Sequence, residues 1–284
     1  MRFHSVVTRT ANQHRSAIWA GMAMVVALGV GCTTQTQVGS GTPQPPSHQM
    51  HAGAPVQDAQ EQERRLRIRL ELAANYLQAG QSQVALGEVD QALAINPRSA
   101  DAFNLQGLAL MNLQDFAAAQ ASFDKANTLQ PNDPYTLHNM AWLQCMQGRY
   151  DKGIAEFVKV LQMPRYSEPA RSWLAKGMCE RRSGDHAAAE QSLFKAYEMD
   201  AGNPMIAYHL ADLLFRRQEL ERARFYIRRI NNGEYANAES LWLGIRVERA
   251  LGDNAAMQQL ASQLQRRFPD SKEWQRFEQG AFSG

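Results

Sequence analysis

Residues 100–131 read ADAFNLQGLALMNLQDFAAAQASFDKANTLQP, and this stretch decides the fold. Two amphipathic helical runs are separated by a short break at Leu113–Asp115, and Pro131 closes the unit. In the second run the small residues Ala119 and Ala126 flank the large Phe123, which lets two antiparallel helices interlock. An isolated pair of helices cannot bury its apolar face, so we expect further copies to stack beside it.

Copies of this unit recur along the chain with a period of about 34 residues, counting a two-residue shift near residue 168. The position of Ala119 recurs as Ala85, Gly153, Ala189, Ala223 and Met257. The position of Phe123 recurs as Val89, Phe157, Leu193, Ile227 and Ala261. The position of Ala126 recurs as Ala92, Val160, Ala196, Ile230 and Leu264. This period and this small–large–small spacing resemble the tetratricopeptide repeat (TPR).

The sequence therefore predicts an all-α fold, a right-handed α-solenoid or TPR superhelix of six helix-turn-helix repeats with a C-terminal capping helix. The TPR domain is predicted at residues 61–284. Its repeats are expected at about residues 66–99, 100–133, 134–167, 170–203, 204–237 and 238–271. The last helix, within residues 272–282, carries Trp274 and Phe277, which would cover the open end of the stack.

Residues 1–31 are predicted to form a lipoprotein signal peptide, because a charge-free apolar run at 17–30 follows scattered arginines. The run is too short to span a bilayer comfortably. It ends in Leu-Gly-Val-Gly-Cys32, which resembles a bacterial lipobox, although Gly29 stands where that pattern has leucine. The resemblance implies lipidation of Cys32, with palmitate among the acyl chains. Ordinary secretion with a free Cys32 thiol and an uncleaved anchor are the alternatives.

The location expected for such a lipoprotein is the periplasmic face of the outer membrane. Thr33 follows the cysteine, and by analogy with proteobacterial sorting the absence of aspartate there favours that membrane. Residues 32–60 are then the lipidated cysteine and a disordered linker, since 33–57 contain no Asp, Glu, Lys or Arg. Such a linker reaches about 25–30 Å as a flexible coil. His48 and His51 are interpreted as solvated linker residues rather than as a metal pair.

Charge and motifs argue against several functional classes. Without the signal peptide the chain has 27 basic and 28 acidic residues, so no overall attraction to nucleic acid is expected. No Ser/His/Asp grouping, glycine-rich phosphate loop or CxxC motif is found, and Asp185 before His186 suits a helix start. The sequence thus predicts no enzyme, no cofactor, no metal and no small-molecule substrate. Cys145 and Cys179 are interpreted as buried thiols, with a disulfide left open.

The predicted binding surface is the concave groove lined by the first helix of each repeat. In TPR proteins the second, fifth, ninth, twelfth and thirteenth residues of a repeat point into this groove. Repeats 1–3 supply an apolar zone that suits an apolar peptide or helix: Leu70, Leu77, Asn104, Leu108, Met111, Tyr135, His138 and Trp142. Repeats 4–6 supply a basic zone that suits an acidic segment: Arg171, Arg181, Arg182, Tyr208, Phe215, Arg216, Trp242, Arg246 and Arg249. The alternative is that these side chains pack against one another or against the terminal helix.

Several segments resemble the PilF/PilW family of type IV pilus biogenesis lipoproteins, the pilotins of that system. They are 210–215 (LADLLF), 223–226 (ARFY), 240–246 (SLWLGIR), 264–269 and 273–274. The resemblance implies a protein that binds the pilus secretin and promotes its localisation and multimerisation in the outer membrane, supporting pilus biogenesis and twitching motility. In that family the groove of the early repeats is the suspected contact. The alternative is a TPR lipoprotein scaffold that recruits peptidoglycan hydrolases or outer-membrane assembly factors.

Overall fold

The computed structural model describes residues 54–282, and every regular element within them is an α-helix. The signal peptide, Cys32 and the first part of the linker lie outside this range. The helices are α1 (Ala54–Gln78), α2 (Ser82–Ile95), α3 (Ala100–Asn112), α4 (Phe116–Leu129), α5 (Pro134–Met146), α6 (Tyr150–Leu161), α7 (Pro169–Ser183), α8 (His186–Met199), α9 (Pro204–Arg216), α10 (Leu220–Asn231), α11 (Ala238–Ala250), α12 (Asn254–Arg267) and α13 (Lys272–Glu278).

Each odd-numbered helix from α1 to α11 packs against the even-numbered helix that follows it, which makes six hairpins. Successive hairpins stack through contacts such as α2 on α3 and α6 on α7, and α13 packs on α11 and α12. The odd-numbered helices α1, α3, α5 and α7 contact one another in succession, α9 contacts α11, and Arg181 of α7 pairs with Asp212 of α9. These helices form one face of the solenoid, which we call the inner face. The predicted all-α solenoid of six repeats with a C-terminal capping helix is confirmed.

The first helix begins earlier than the sequence pattern indicated. Residues 54–60, assigned to the linker, belong to α1. The segment from Gln57 to Arg65 consists of Gln, Glu, Arg, Ala and one Asp, most of which are good helix formers. An ion pair between Arg64 and Glu61, 2.8 Å from Nε to Oε2, adds an i,i+3 contact on its exposed surface.

The repeated small–large–small pattern is a packing pattern. Ala119, Phe123 and Ala126 are fully buried between α3 and α4. The ring of Phe123 occupies the space beside Gly107, where an added Cβ would lie 2.5 Å from the ring atom Cε1. Since real Cβ atoms do not approach other atoms so closely, only glycine at position 107 admits the phenylalanine.

Aspartates at the inter-helix turns begin the second helices. Asp115 accepts a hydrogen bond from the backbone N–H of Ala118 at 3.1 Å, and Asp185 accepts one from Ala188 at 2.9 Å. These are N-cap contacts, which satisfy backbone donors in the first turn of a helix. They confirm that Asp185 marks a helix start. Gly184, just before it, has φ +92°, a left-handed conformation that glycine adopts without steric cost.

A disulfide joins Cys145 near the end of α5 to Cys179 in α7. Their Cα atoms are 5.6 Å apart, within the range that a disulfide requires. The interpretation of the two residues as buried thiols is therefore wrong. The two residues lie on neighbouring odd-numbered helices that contact each other, and at this point the helices bring the cysteines side by side. The bond covalently links repeats 3 and 4.

The C-terminal helix covers the end of the stack, as predicted. Trp274 stacks on Phe277 with ring centroids 5.3 Å apart, and Phe277 meets Phe282 edge-on at 5.8 Å. These rings pack on the last apolar cluster, which contains Trp242 and Leu264. Among residues 54–282, no helix is long and apolar enough to cross a bilayer.

Candidate functional site

The inner face carries all seventeen residues predicted for the two groove zones, and three of them, Arg182, Arg216 and Arg249, are exposed. They lie on α1, α3, α5, α7, α9 and α11, one or more from each inner helix. Nine are half-buried: Leu70, Asn104, Leu108, Tyr135, Arg171, Arg181, Tyr208, Phe215 and Arg246. The structure therefore places on one face the residues that the repeat register selected.

Five of the seventeen are wrong as exposed contact residues because they are buried: Leu77, Met111, His138, Trp142 and Trp242. Neighbouring inner helices pass close enough for large side chains to pack across from one repeat to the next. The packing alternative thus holds for these five. These five side chains lie beneath the surface of the inner face. A partner would contact the half-buried and exposed residues around them.

More side chains of the apolar zone in repeats 1–3 are packed against neighbouring side chains than the repeat register predicted. Leu70 packs against the cluster of Ala73 and Val89, and Leu108 packs against the clusters on both sides of it. The guanidinium of Arg182 lies 5.4 Å from the centroid of the Trp142 ring. The indole, predicted to contact a partner, is instead enclosed by apolar neighbours and covered by a cation.

A chain of polar side chains crosses the inner face between repeats 2 and 4. Asn139 donates from Nδ2 to Oδ1 of Asn104 at 3.0 Å, and its own Oδ1 accepts from Nη2 of Arg171 at 3.3 Å. Arg171 also pairs with Glu168 at 3.3 Å. Asn139 was missed by the sequence analysis because it falls outside the groove positions of the repeat. These hydrogen bonds fix the orientation of the Asn104 and Arg171 side chains, so their polar groups have defined positions on the inner face.

His138 is buried and is held in place by hydrogen bonds within the protein. Its Nδ1 lies 2.7 Å from Oγ of Ser172, which is also 2.8 Å from the hydroxyl of Tyr166. Burial and the nearby charge of Arg171 lower the pKa of His138 well below its ordinary value, so the ring stays neutral at physiological pH. Tyr166 comes from the longer loop between α6 and α7, where the repeat register shifts.

The basic zone of repeats 4–6 is organised by one acidic residue. Asp212 in α9 is buried, and its carboxylate pairs with Arg181 of the preceding repeat. Arg216, one turn further along α9, places Nε 3.2 Å from both carboxylate oxygens. The repeat register does not reveal Asp212, because its partner Arg181 lies 31 residues away in the preceding repeat. It holds two guanidinium groups from adjacent repeats in fixed positions.

Arg246 in α11 extends this zone. Its Cζ lies 4.7 Å from the centroid of the Phe215 ring, a cation–π contact. Burial lowers the pKa of Arg246; Asp212 opposes that shift, while Arg216 and Arg276 add to it. Asp212 thus acts on Arg181, Arg216 and Arg246, while Arg276 acts on Arg246, and we call these four arginines the basic cluster.

Tyr208 lies within reach of the same charges. Burial, together with Asp212, raises the pKa of Tyr208 to about 12. Its hydroxyl thus remains a hydrogen-bond donor throughout the physiological range. The guanidinium groups of the basic cluster offer only donors, the hydroxyl can both donate and accept, and the carboxylate of Asp212 is buried.

Trp242 packs against Phe282, a residue that follows the terminal helix rather than lying in it. The ring of Phe282 stacks on it with centroids 5.4 Å apart and an interplanar angle of 21°. Arg249 places Cζ 3.9 Å from the centroid of the Phe282 ring. The end of the described chain therefore covers the last repeat of the inner face.

Within residues 58–282, no group of three or more His, Cys, Asp and Glu side chains is arranged to hold a metal ion. His209 is buried, and neither ring nitrogen has a hydrogen-bond partner. Burial lowers its pKa to about 4, which keeps the ring neutral. The half-buried residues of the inner face offer apolar surface in repeats 1–3 and guanidinium groups in repeats 4–6.

Three family models described as "Tetratricopeptide repeat" match the chain. One covers residues 70–134 and 139–204, a second 181–241 and a third 122–155. Together they extend without a gap from residue 70 to residue 241. The chain belongs to the tetratricopeptide repeat family.

Among named proteins, the chain is similar to "Type IV pilus assembly protein PilF" of Pseudomonas aeruginosa. It is 28% identical over 209 residues, which are 74% of this chain and 83% of PilF. A solved structure of PilF from that species matches with a TM-score of 0.62 and 26% identity, covering 78% of this chain and 99% of that one. The structure of PilW, described as a widely conserved type IV pilus biogenesis factor, matches with a TM-score of 0.66 and 27% identity, covering 75% and 98%. The six stacked hairpins, their inner face and these matches along nearly the whole length of both relatives establish a tetratricopeptide repeat protein of the PilF/PilW kind.

Proposed function

We propose that this protein is an outer-membrane lipoprotein pilotin that binds the type IV pilus secretin and promotes its localisation and multimerisation there. The observation that carries the proposal is the identity of 26–28% to PilF and PilW along the whole repeat body, which covers 98% of the PilW structure and 99% of the PilF structure. Coverage alone is not specific, because a TPR protein of Thermus thermophilus is also covered over 98% of its length, at 20% identity.

The inner face supports a protein partner. It offers half-buried apolar side chains in repeats 1–3 and guanidinium groups in repeats 4–6. Arg181 is held by its ion pair with Asp212, and Arg171 by its hydrogen bond to Asn139. A groove with preset side chains loses little side-chain entropy when a peptide or helix binds. The secretin subunit is the partner we propose for it.

The proposed lipid anchor would confine the interaction to the surface of one membrane. A lipid on Cys32 would restrict the repeat body to a layer near the bilayer, because a coil of the residues between Cys32 and α1 reaches about 23–27 Å. Capture of a secretin subunit by the inner face would then raise the concentration of subunits at the same membrane. Multimerisation follows by mass action, and no catalytic step is needed.

Replacement of Cys32 by serine tests the anchor. Cys32→Ser is expected to leave the protein in the soluble periplasmic fraction, because acyl chains contribute about 0.8 kcal/mol of membrane affinity per buried CH₂. Fractionation followed by immunoblotting measures this, and the mass of the wild-type N-terminal peptide should include the acyl chains. A Cys32→Ser protein that still sediments with membranes would contradict the lipid anchor.

Deletion of the gene tests the secretin role. Outer-membrane fractions of the deletion strain should lose most of the heat-resistant secretin multimer, while the amount of secretin subunit in whole cells stays similar. The wild-type gene supplied in trans should restore the multimer, and the Cys32→Ser variant should restore less. Normal multimers at their normal location in the deletion strain would refute the proposal. Recovery of wall hydrolases in place of secretin by the purified protein would favour the scaffold alternative.

A further inference from the structure

The segment that follows α13 lies on the inner face of the last repeat. Phe282 stacks on Trp242 with ring centroids 5.4 Å apart, and Arg249 places Cζ 3.9 Å from the centroid of the Phe282 ring. Phe277 of α13 meets the same ring edge-on at 5.8 Å. We call Trp242, Phe277 and Arg249 the ring site, because together they hold one aromatic side chain.

Two residues of the ring site occupy positions that the repeat register assigns to partner contact. Trp242 is the fifth residue of repeat 6 and Arg249 is the twelfth, and both positions point into the groove in TPR proteins. The equivalent residues of repeat 5 are Tyr208 and Phe215, and both are half-buried. Phe282 therefore contacts groove positions whose equivalents in the preceding repeat stay accessible.

Phe282 can leave the ring site without the unfolding of a helix. The backbone N–H groups of residues 280–282 donate to carbonyl groups of residues 276–280, so these hydrogen bonds lie within the segment and α13. The contacts of Phe282 with Trp242 and Arg249 are made by its ring. Loss of the ring contacts leaves the backbone hydrogen bonds in place, so release of the ring is a local change.

The chemistry of the ring site favours an aromatic side chain over an aliphatic one. A flat ring stacks on the indole of Trp242 and presents an edge to Phe277. The guanidinium of Arg249 is attracted to the π-electrons of such a ring, an interaction that an aliphatic side chain lacks. The ring of Phe282 therefore shows which kind of side chain the site takes.

We infer that the ring site binds an aromatic side chain of a partner polypeptide, and that Phe282 occupies the site until the partner displaces it. The nature of the occupant follows from the protein's own phenylalanine, which makes a stacked, an edge-on and a cationic contact there. A polypeptide on the inner face would then continue from Tyr208 and Phe215 of α9 onto α11, which α9 contacts. This inference does not depend on the secretin assignment, because it concerns the side chain that binds and not the protein that carries it.

The test supplies the aromatic side chain on a separate peptide. The probe is Gln-Gly-Ala-Phe-Ser-Gly, which copies residues 279–284 and carries para-fluorophenylalanine in place of phenylalanine. Fluorine NMR of the probe with the purified protein measures binding. In the wild type a Phe282 ring that is docked about nine-tenths of the time should weaken binding of the probe about tenfold relative to Phe282→Ala, where the site is vacant. Equal binding by the two proteins, or no saturable binding by folded Phe282→Ala, would overturn the inference.

Matched variants locate the site. Phe225→Ala removes a phenylalanine that is 57% exposed on the outer helix α10, and this variant should bind the probe as weakly as the wild type. Adding Arg249→Gln to Phe282→Ala should weaken binding of the probe about threefold, because the cation–π contact is lost. Binding by Phe225→Ala that equals binding by Phe282→Ala would refute the location.

A competition experiment tests the preference for a ring. The unlabelled peptide with Leu in place of Phe should displace the probe from Phe282→Ala at least about fivefold less well than the unlabelled Phe peptide. Equal competition by the two peptides would reveal a general apolar site and would overturn the aromatic assignment.

Stability and mass measurements keep the test decisive. Phe282 is half-buried and follows the last helix, so Phe282→Ala should melt within about 3 °C of the wild type. If Phe282→Ala is unfolded, Phe282→Leu takes its place, keeps an apolar side chain without a ring, and should still bind the probe more tightly than the wild type. Sedimentation gives the oligomeric state. A wild-type dimer that becomes a monomer in Phe282→Ala would show that the occupant is a second copy of this chain, and it would overturn the inference of a separate partner.

Discussion

Replacing Cys145 and Cys179 together by alanine is expected to lower the free energy of unfolding by about 4 kcal/mol. The disulfide closes a loop between residues 34 apart, and the cross-link removes conformations from the unfolded chain. For a body of this size the melting temperature should fall by about 10 °C. The effect is large because the bond sits in the middle of the array, where it joins repeats 3 and 4 directly.

Thermal melts followed by circular dichroism, with and without reductant, measure this effect. Reductant should lower the melting temperature of the wild type to near that of the double variant. The double variant serves as the control for the reductant, because reductant has no disulfide to act on in the described part of that variant. A wild type whose melting curve is unchanged after thiol labelling has shown full reduction would contradict the stabilising role of the bond.

Phe123→Ala is expected to destabilise the protein by about 4 kcal/mol. The ring is fully buried between α3 and α4, and it fills the space that Gly107 leaves open. Truncation to alanine removes the buried ring and leaves a cavity, because Gly107 has no side chain that could fill the space. Repeat 2 should lose the most, since each repeat contacts only its neighbours.

Phe194→Ala is the matched control, because it makes the same chemical change at a position on α8 that is 41% exposed. It should change the stability by less than about 0.5 kcal/mol. Urea unfolding of both variants measures the difference, and hydrogen exchange should place the extra exchange of Phe123→Ala in α3 and α4. Similar losses in the two variants would mean that the repeat pattern does not report burial.

The hairpins could be predicted from the sequence because their determinants are local. The spacing of Ala119, Phe123 and Ala126 specifies which side of α4 meets α3, and the aspartates and glycines mark the turns. Each repeat carries its own copy of this information, so errors in one repeat do not spread to the next. The capping role of Trp274 and Phe277 follows from the same logic, since the last repeat must cover an apolar side.

The contacts between repeats could not be predicted in this way, because they depend on how closely successive inner helices pass. The repeat register placed Trp142 and His138 on the correct face but did not show that both are buried. It also could not show that the Cα atoms of Cys145 and Cys179 come within 5.6 Å. The buried Asp212 escaped notice because its partner Arg181 lies 31 residues away, in the preceding repeat.

The N-terminal end of α1 extends beyond the packed repeats. From Asp58 to Arg65 every side chain is exposed, and the end of α2 reaches α1 near Gln62, where Ile95 lines the same small cavity. The first eight residues of the helix, Ala54–Glu61, thus project about 12 Å beyond the stack. The stem therefore moves the point at which the preceding chain joins the body about 12 Å away from the stack, and it does so without the loss of reach that a coil of the same length would show.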